Sequence, residues 1–150
     1  MSPRPLARKV SGRVATIGMG EKNLATLLKS MQPVFLEGNW SFVTVPNGKP
    51  MPPGLNPMAT FREPEGMSLL LDDADVAKSG LVAAFHCKGI SLNVNSSLYA
   101  IGFLAAISEV LARQAMSINI ISAFNRDYLF VPVARADEAL QTLKKLARNA

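Results

Sequence analysis

One cysteine, one histidine, one tryptophan and two tyrosines are all that 150 residues contain of these types. Cys87 alone cannot form a disulfide within the chain,. With His86 the only histidine, the usual Cys/His ligand set of a structural zinc site is also missing,. Nor can a Ser/His/Asp constellation be assembled around a histidine that sits in an apolar stretch beside Phe85,. Cys87 follows it directly, and adjacent strand residues point to opposite faces, so His86 cannot serve it as a base,. An enzyme built on His86 and Cys87 requires both to be exposed in one cleft; the other reading makes Cys87 a core or interface thiol. No apolar run approaches the roughly 18 residues needed to span a bilayer, and no glycine-rich phosphate loop appears,. These absences imply no cofactor, no metal and no membrane, and they suit a reducing, cytoplasmic setting.

What the chain does have is a globular composition, 49% apolar and 18% charged,. Its net charge of +5 is unevenly spread. Residues 1–20 carry Arg4, Arg8, Lys9 and Arg13 without an acid, leaving 12 basic and 11 acidic residues, or +1, for the remainder. A nucleic-acid-binding fold is expected to cluster its cations on a folded face, with aromatics to stack on bases, and that pattern is absent. Residues 1–20 read as a flexible basic leader. A targeting presequence, or a short strand at Val14–Ile17, remains open,.

Leu24, Leu27, Leu28 and Met31 repeat at helical spacing, predicting a helix over Glu21–Met31 that Pro33 ends,. Pro33–Glu37 and Trp40–Val45 suggest a hairpin turning at Gly38-Asn39, with Ser41, Val43 and Val45 on one face,. Five prolines in residues 46–57 forbid regular structure and make a long loop, either mobile or a functional flap,. Met67–Leu71 reads as a strand, and Asp72, Asp73 and Asp75 open a short helix that Gly80 stops,. The Asp cluster resembles a helix start more than a metal site, and Glu63 and Glu65 a solvated turn more than an acid/base pair.

Val82–Cys87 and Ile90–Asn95 read as strands separated by a break at Lys88-Gly89. Leu98–Gln114 follows as a helix, then strands over Ser117–Phe124 and Tyr128–Val133 around an Asn125-Arg126-Asp127 turn. Asp137–Arg148 is a cleanly amphipathic helix,. The order β-α-β-β-α from Ile90 onward predicts an α+β fold of the ferredoxin-like kind, an antiparallel sheet with helices on one face. It lacks a fourth strand, while the first half lacks a first one, so the two units are expected to share or exchange strands near residues 82–95.

Two features point toward binding. The helix after Asn95 is apolar on two stripes, which predicts cover from a partner unit or a second subunit,. Asn95, Ser96 and Ser97 stand where that helix is expected to start; they serve either as N-caps or as part of an anion-binding helix terminus,. Gly102, read as lying inside the helix, allows close approach of a neighbouring strand or a ligand,.

Four stretches occur in sequence: Trp40-Ser41-Phe42-Val43, Phe61-Arg62-Glu63-Pro64-Glu65-Gly66, Leu92–Gly102 and Tyr128-Leu129-Phe130-Val131-Pro132. Together they resemble the small tandem ACT-domain proteins, bacterial for the most part and related to the amino-acid-sensing ACT pairs of aspartate kinases. The resemblance implies two ACT-like units, over residues 21–80 and 81–150. It further implies a non-catalytic regulatory or sensor module, a homodimer that binds an amino acid and reports occupancy to a separate protein partner. Carried over residue by residue, the ligand zone is Asn95, Ser96, Ser97, Tyr99, Ala100, Ile101 and Gly102, with Asn119, Ile120 and Ile121 on the facing strand. Two departures stand out. The turn 125–128 lacks the histidines often found there, and Asn95 replaces the acid that ACT domains often place after the first strand to hold an ammonium group. The alternative is a structural or interaction module whose ligand site has decayed.

Overall fold

The computed structural model describes residues 20–150; the leader readings, including a strand at Val14–Ile17, lie outside the described residues. One antiparallel sheet of seven strands organises the described residues. In chain order the elements are α1 (Leu24–Ser30), β1 (Val34–Phe35), β2 (Trp40–Pro46), β3 (Ala59–Glu63), β4 (Gly66–Asp72), α2 (Asp73–Ser79), β5 (Ala84–Ser91), α3 (Phe103–Ala112), β6 (Asn119–Ser122), β7 (Asp127–Pro132) and α4 (Ala136–Arg148). The strand order is β3-β4-β2-β5-β7-β6, every neighbouring pair antiparallel, with β1 also bonded to β5.

β5 holds the two halves together. Along one edge its first residues pair with β2 (Trp40 opposite Cys87) and its last with β1 (Phe35 opposite Ile90). Its other edge pairs with β7 from Cys87 to Ser91. The expected break at Lys88-Gly89 does not exist. Gly89 lies inside a continuous strand, and a Cβ there would come within 2.7 Å of the Leu36 side chain and 3.0 Å of Phe130. The glycine therefore permits a crossing rather than marking a turn. The local irregularity falls at Phe85 instead, whose φ of 58° accompanies a shift in register against β2,.

The Gly38-Asn39 turn is present, but its flanking segments do not form the expected hairpin. β1 pairs with β5, not β2. This rearrangement supplies the missing strand: β1 lies beside β5 as the fourth strand of the unit β5-α3-β6-β7-α4. Likewise β5 completes the unit β2-β3-β4-α2. In this first unit residues 47–58 occupy the place of a helix. Leu55 packs with Val43, Leu69 and Val76, and the Asn56 N–H donates to Asp75 Oδ2 at 2.8 Å. That hydrogen bond, ahead of the Lys78 ammonium at 3.3 Å, holds the Asp75 carboxyl below the ordinary carboxylate value,. α2 starts as expected, with Asp72 accepting from the Asp75 N–H, and stops on left-handed Gly80.

All helices lie on one face. Leu27 and Met31 of the α1 region enter the core with Ile90, Phe103, Ile107, Leu111, Leu129, Leu143 and Ala139. The second cover expected for α3 thus comes in part from α1, the first helix of the same chain. The C-terminal end of α3 is closed by Arg135, which donates to the Gln114 and Ala115 carbonyls at 2.9 and 3.0 Å while pairing with Glu138. The opposite face, which no helix of the described residues covers, carries Phe42, Phe130, Leu70 and Cys87.

Candidate functional site

β5 ends at Ser91, earlier than the sequence suggests, and α3 begins only at Phe103. Residues 92–102 form a connecting loop, not the start of a helix. Apolar spacing through Leu98 and Ile101 suggested helix, yet both side chains, with Tyr99, lie outside the core and exposed. Gly102 is correspondingly not inside the helix. It caps it, at φ 91°, a conformation glycine adopts without steric cost,. Among the described residues no side chain caps α3, so the Asn95-Ser96-Ser97 segment does not serve as its N-cap.

Three attachments fix the loop. Its base is tied to β7, the Leu92 N–H donating to the Asp127 carbonyl at 3.1 Å. Its middle is clamped by the chain before α1: Glu21 N–H donates to the Asn95 carbonyl, and Ser97 N–H to the Glu21 carbonyl, both at 2.9 Å. Gly20 fits against this bridge so closely that a Cβ would stand 2.3 Å from the Ser97 nitrogen. Within the loop, Ser97 Oγ accepts from the Tyr99 N–H and the Ser97 carbonyl from the Ala100 N–H, which makes a tight turn,.

The third attachment is buried and polar. Ser96 Oγ donates to Asp127 Oδ2 at 2.7 Å, and both residues are less than a tenth exposed. Beside this pair is a cavity of about 130 Å³, lined by Ser96, Ser97, Leu98, Ala100, Gly102, Phe103, Leu104, Ala105, Ser122 and Asp127. A carboxylate, three hydroxyl-bearing residues and the open first turn of α3 therefore surround one small space. It has room for about four water molecules at bulk density,.

Of the sequence-derived residues, the cavity brings together Ser96, Ser97, Ala100 and Gly102. Asn95, Tyr99 and Ile101 do not line it; Ile101 is 86% exposed. On β6, Asn119 is exposed, Ile120 packs on the helical core, and Ile121 faces the opposite side of the sheet with Phe130. Ser122 and Asp127 join the site in their place. Asp127 was legible only as a turn residue; nothing local reveals that the β6–β7 hairpin carries its carboxylate under the loop.

Elsewhere the chemistry is spare. Cys87 is fully buried, its thiol donating to the Trp40 carbonyl at 3.3 Å, and burial together with the nearby Asp73 charge pushes its pKa up to about 11. His86 faces outward and meets Asp73 at 3.0 Å, both side chains more than half exposed. The common cleft that an enzyme based on these two residues requires does not form. Among the described residues there is no cluster of three metal-ligating side chains, and no helix is long and apolar enough to cross a membrane.

Comparison with known proteins accounts for this arrangement. Two ACT-domain profiles match, over residues 19–88 and 83–145, and their overlap falls at the entry to β5. A Vibrio cholerae protein of unknown function, described as a possible transport protein, is 37% identical over 83% of this chain and 95% of its own, with a TM-score of 0.74. The aspartokinase alpha and beta subunits superpose with a TM-score of 0.58 at 13% identity, covering 78% of this chain and 98% of theirs. The regulatory subunit of aspartate kinase from Thermus flavus gives 0.50 at 12% identity, covering 79% and 99%. At these identities the kinase structures speak for the fold. No curated protein matches the sequence. ACT domains are regulatory modules that bind small-molecule ligands and oligomerise. The chain belongs to the ACT-domain family and carries two such domains in tandem.

Proposed function

We propose that this chain is a sensor for a small amino acid, bound between the 95–102 loop, the first turn of α3 and Asp127, and that it acts on a separate protein without catalysis of its own. The observation that carries this reading is the buried Ser96–Asp127 pair on the wall of a compact, half-polar cavity. An α-amino acid presents an ammonium and a carboxylate a few ångströms apart. The uncapped N–H groups at the start of α3 suit the carboxylate,. Asp127 suits the ammonium, and so takes over the role for which Asn95 lacks a charge. A site of about 130 Å³ favours a short side chain over an aromatic one. Exposed Leu98, Tyr99 and Ile101 on the outer surface of the loop offer an apolar rim that a second subunit would cover, in keeping with a homodimer,.

The test is thermal denaturation of the full chain against each standard amino acid. A ligand at 100 times its Kd adds about 2.7 kcal/mol to the stability of the folded state. One or more small amino acids should raise Tm, and Asp127→Asn should abolish that rise while the unliganded protein still melts cooperatively. If none of the standard amino acids shifts Tm at millimolar concentration, the sensor reading is wrong.

A further inference from the structure

A second concave site lies away from the loop pocket, between the C-terminal ends of α1 and α4. It is an open groove of about 440 Å³, lined by Lys29, Met31, Gln32, Pro33, Val34, Lys144, Ala147 and Arg148. Three of these eight residues are cations and none is an acid. No Asp or Glu occurs from Leu24 to Leu36, nor from Ala139 to Ala150. Among the described residues, none of Lys29, Lys144 and Arg148 takes part in an ion pair.

Helix dipoles explain part of this. A cation in a last helical turn is stabilised by the negative end of the helix, and Lys29 and Arg148 are so placed,. Dipoles do not explain why cations from two helices border one cavity. Lys144 and Arg148 stand four residues apart on one helix face, a like-charge spacing that weakens a helix,. With Lys29 across the groove, the three positive charges repel one another, and an anion placed among them relieves that repulsion.

The floor narrows the choice of anion. Met31, Pro33, Val34 and the Ala147 methyl make it apolar, and the Gln32 amide adds a neutral hydrogen-bonding group. The volume falls in the range of about 300–1,000 Å³ typical of small-molecule sites. An arginine fork and two lysine point charges suit phosphate oxygens, and a phosphate monoester carries a charge of about −1.5 to −2 at neutral pH. From this charge complementarity and the apolar floor we infer that the α1–α4 groove is a binding site for a small organic phosphate with an apolar body, distinct from the amino-acid pocket.

The full chain, isotopically labelled, should be titrated at physiological salt with phenyl phosphate and, separately, with inorganic phosphate, following backbone amide shifts. Saturable shifts are expected at residues 29–34 and 144–148, with phenyl phosphate binding at least about tenfold more tightly than inorganic phosphate. Lys144→Gln with Arg148→Gln should weaken phenyl phosphate binding at least about tenfold while the protein still melts cooperatively and any amino-acid response is unchanged. Shifts that fail to saturate, or that persist undiminished in the double variant, overturn the assignment. So does tighter binding at these residues by a DNA duplex or by anionic phospholipid vesicles than by phenyl phosphate. Because the readout is local to the groove, it stands or falls independently of the amino-acid pocket.

Discussion

Gly20 is the residue whose replacement most directly tests how the ligand loop is held. A Cβ there would lie 2.3 Å from the Ser97 nitrogen, 2.4 Å from the Ser96 carbonyl carbon and 2.7 Å from the Ser96 oxygen. All three contacts are to backbone, so no rotamer change relieves them. In Gly20→Ala the clamp must open, and with it go the hydrogen bonds from Glu21 N–H to Asn95 and from Ser97 N–H to Glu21. Each is worth about 0.5–1.5 kcal/mol net, so the clamp loses about 1–3 kcal/mol. At about 1.4 kcal/mol per factor of ten, the Glu21 and Ser97 amides should exchange with solvent roughly 5- to 150-fold faster. Core amides such as Leu143 and Leu129, which depend on the sheet and α4, should keep their protection. Native-state hydrogen exchange resolves these sites separately. Unchanged protection at Glu21 and Ser97 in the variant would show that the clamp does not hold the loop.

Three other outcomes follow from the packing and the charges. Leu27→Ala, at a fully buried α1 position packed in the main core, should cost about 2–5 kcal/mol in urea denaturation, as large as a central core deletion; a loss below 1 kcal/mol would mean that α1 is not integral to that core,. Cys87 keeps its proton to about pH 11 when folded but ionises near 9.0 when unfolded, so unfolding releases a proton in that window. Stability should then fall as pH rises from 9 to 11, by at most about 1.4 kcal/mol per pH unit, and Cys87→Ala should remove this contribution to the slope. Asp75 has the opposite sign: its lowered pKa contributes stability above 3.8 that disappears as pH falls through the folded value,. Asp75→Asn should flatten the acid limb of the stability curve and expose residues 47–58 to limited proteolysis, and equal cleavage rates in the two proteins would count against the Asn56–Asp75 anchor.

Elements whose causes are local could be read from the sequence. α4 follows from the spacing of Ala139, Leu140 and Leu143, and α2 from Asp72 at its start and Gly80 at its end. The strand at β2 was legible from its aromatic and β-branched content, and the structure shows that the face of Ser41, Val43 and Val45 is the more buried one. What could not be read depends on partners distant in the chain. Val34 meets Ser91, and no local pattern announces it, so the sequence points to a hairpin centred on Gly38-Asn39 instead. Gly89 carries the same letter whether it breaks a strand or lets Leu36 and Phe130 lie across it. The site shows the same division. Ser96 and Ser97 stand in the sequence between strand and helix, and Ala100 and Gly102, within the helix the spacing predicts, join them only through the family resemblance; Asp127 enters the cavity only because β7 lies next to β5.

The placement of α1 and β1 has a consequence for how the protein is made. Both are synthesised before any of the elements they touch: β1 awaits β5, and the α1 side chains await α3 and α4. On a ribosome working from the N-terminus, β1 waits for the end of β5 at Ser91, and α1 waits for α3 and then α4, which ends at Arg148. Leu27, Leu28 and Met31 are exposed during that interval, a period in which apolar segments are open to aggregation or chaperone capture. Native packing of the second domain is therefore not a finishing step performed by its own residues. It occurs when α3 and α4 meet α1, so chains released before α4 should lack the core formed by Leu27, Met31, Ile107 and Leu143, while the Val43, Leu69 and Leu71 cluster has no need of that helix.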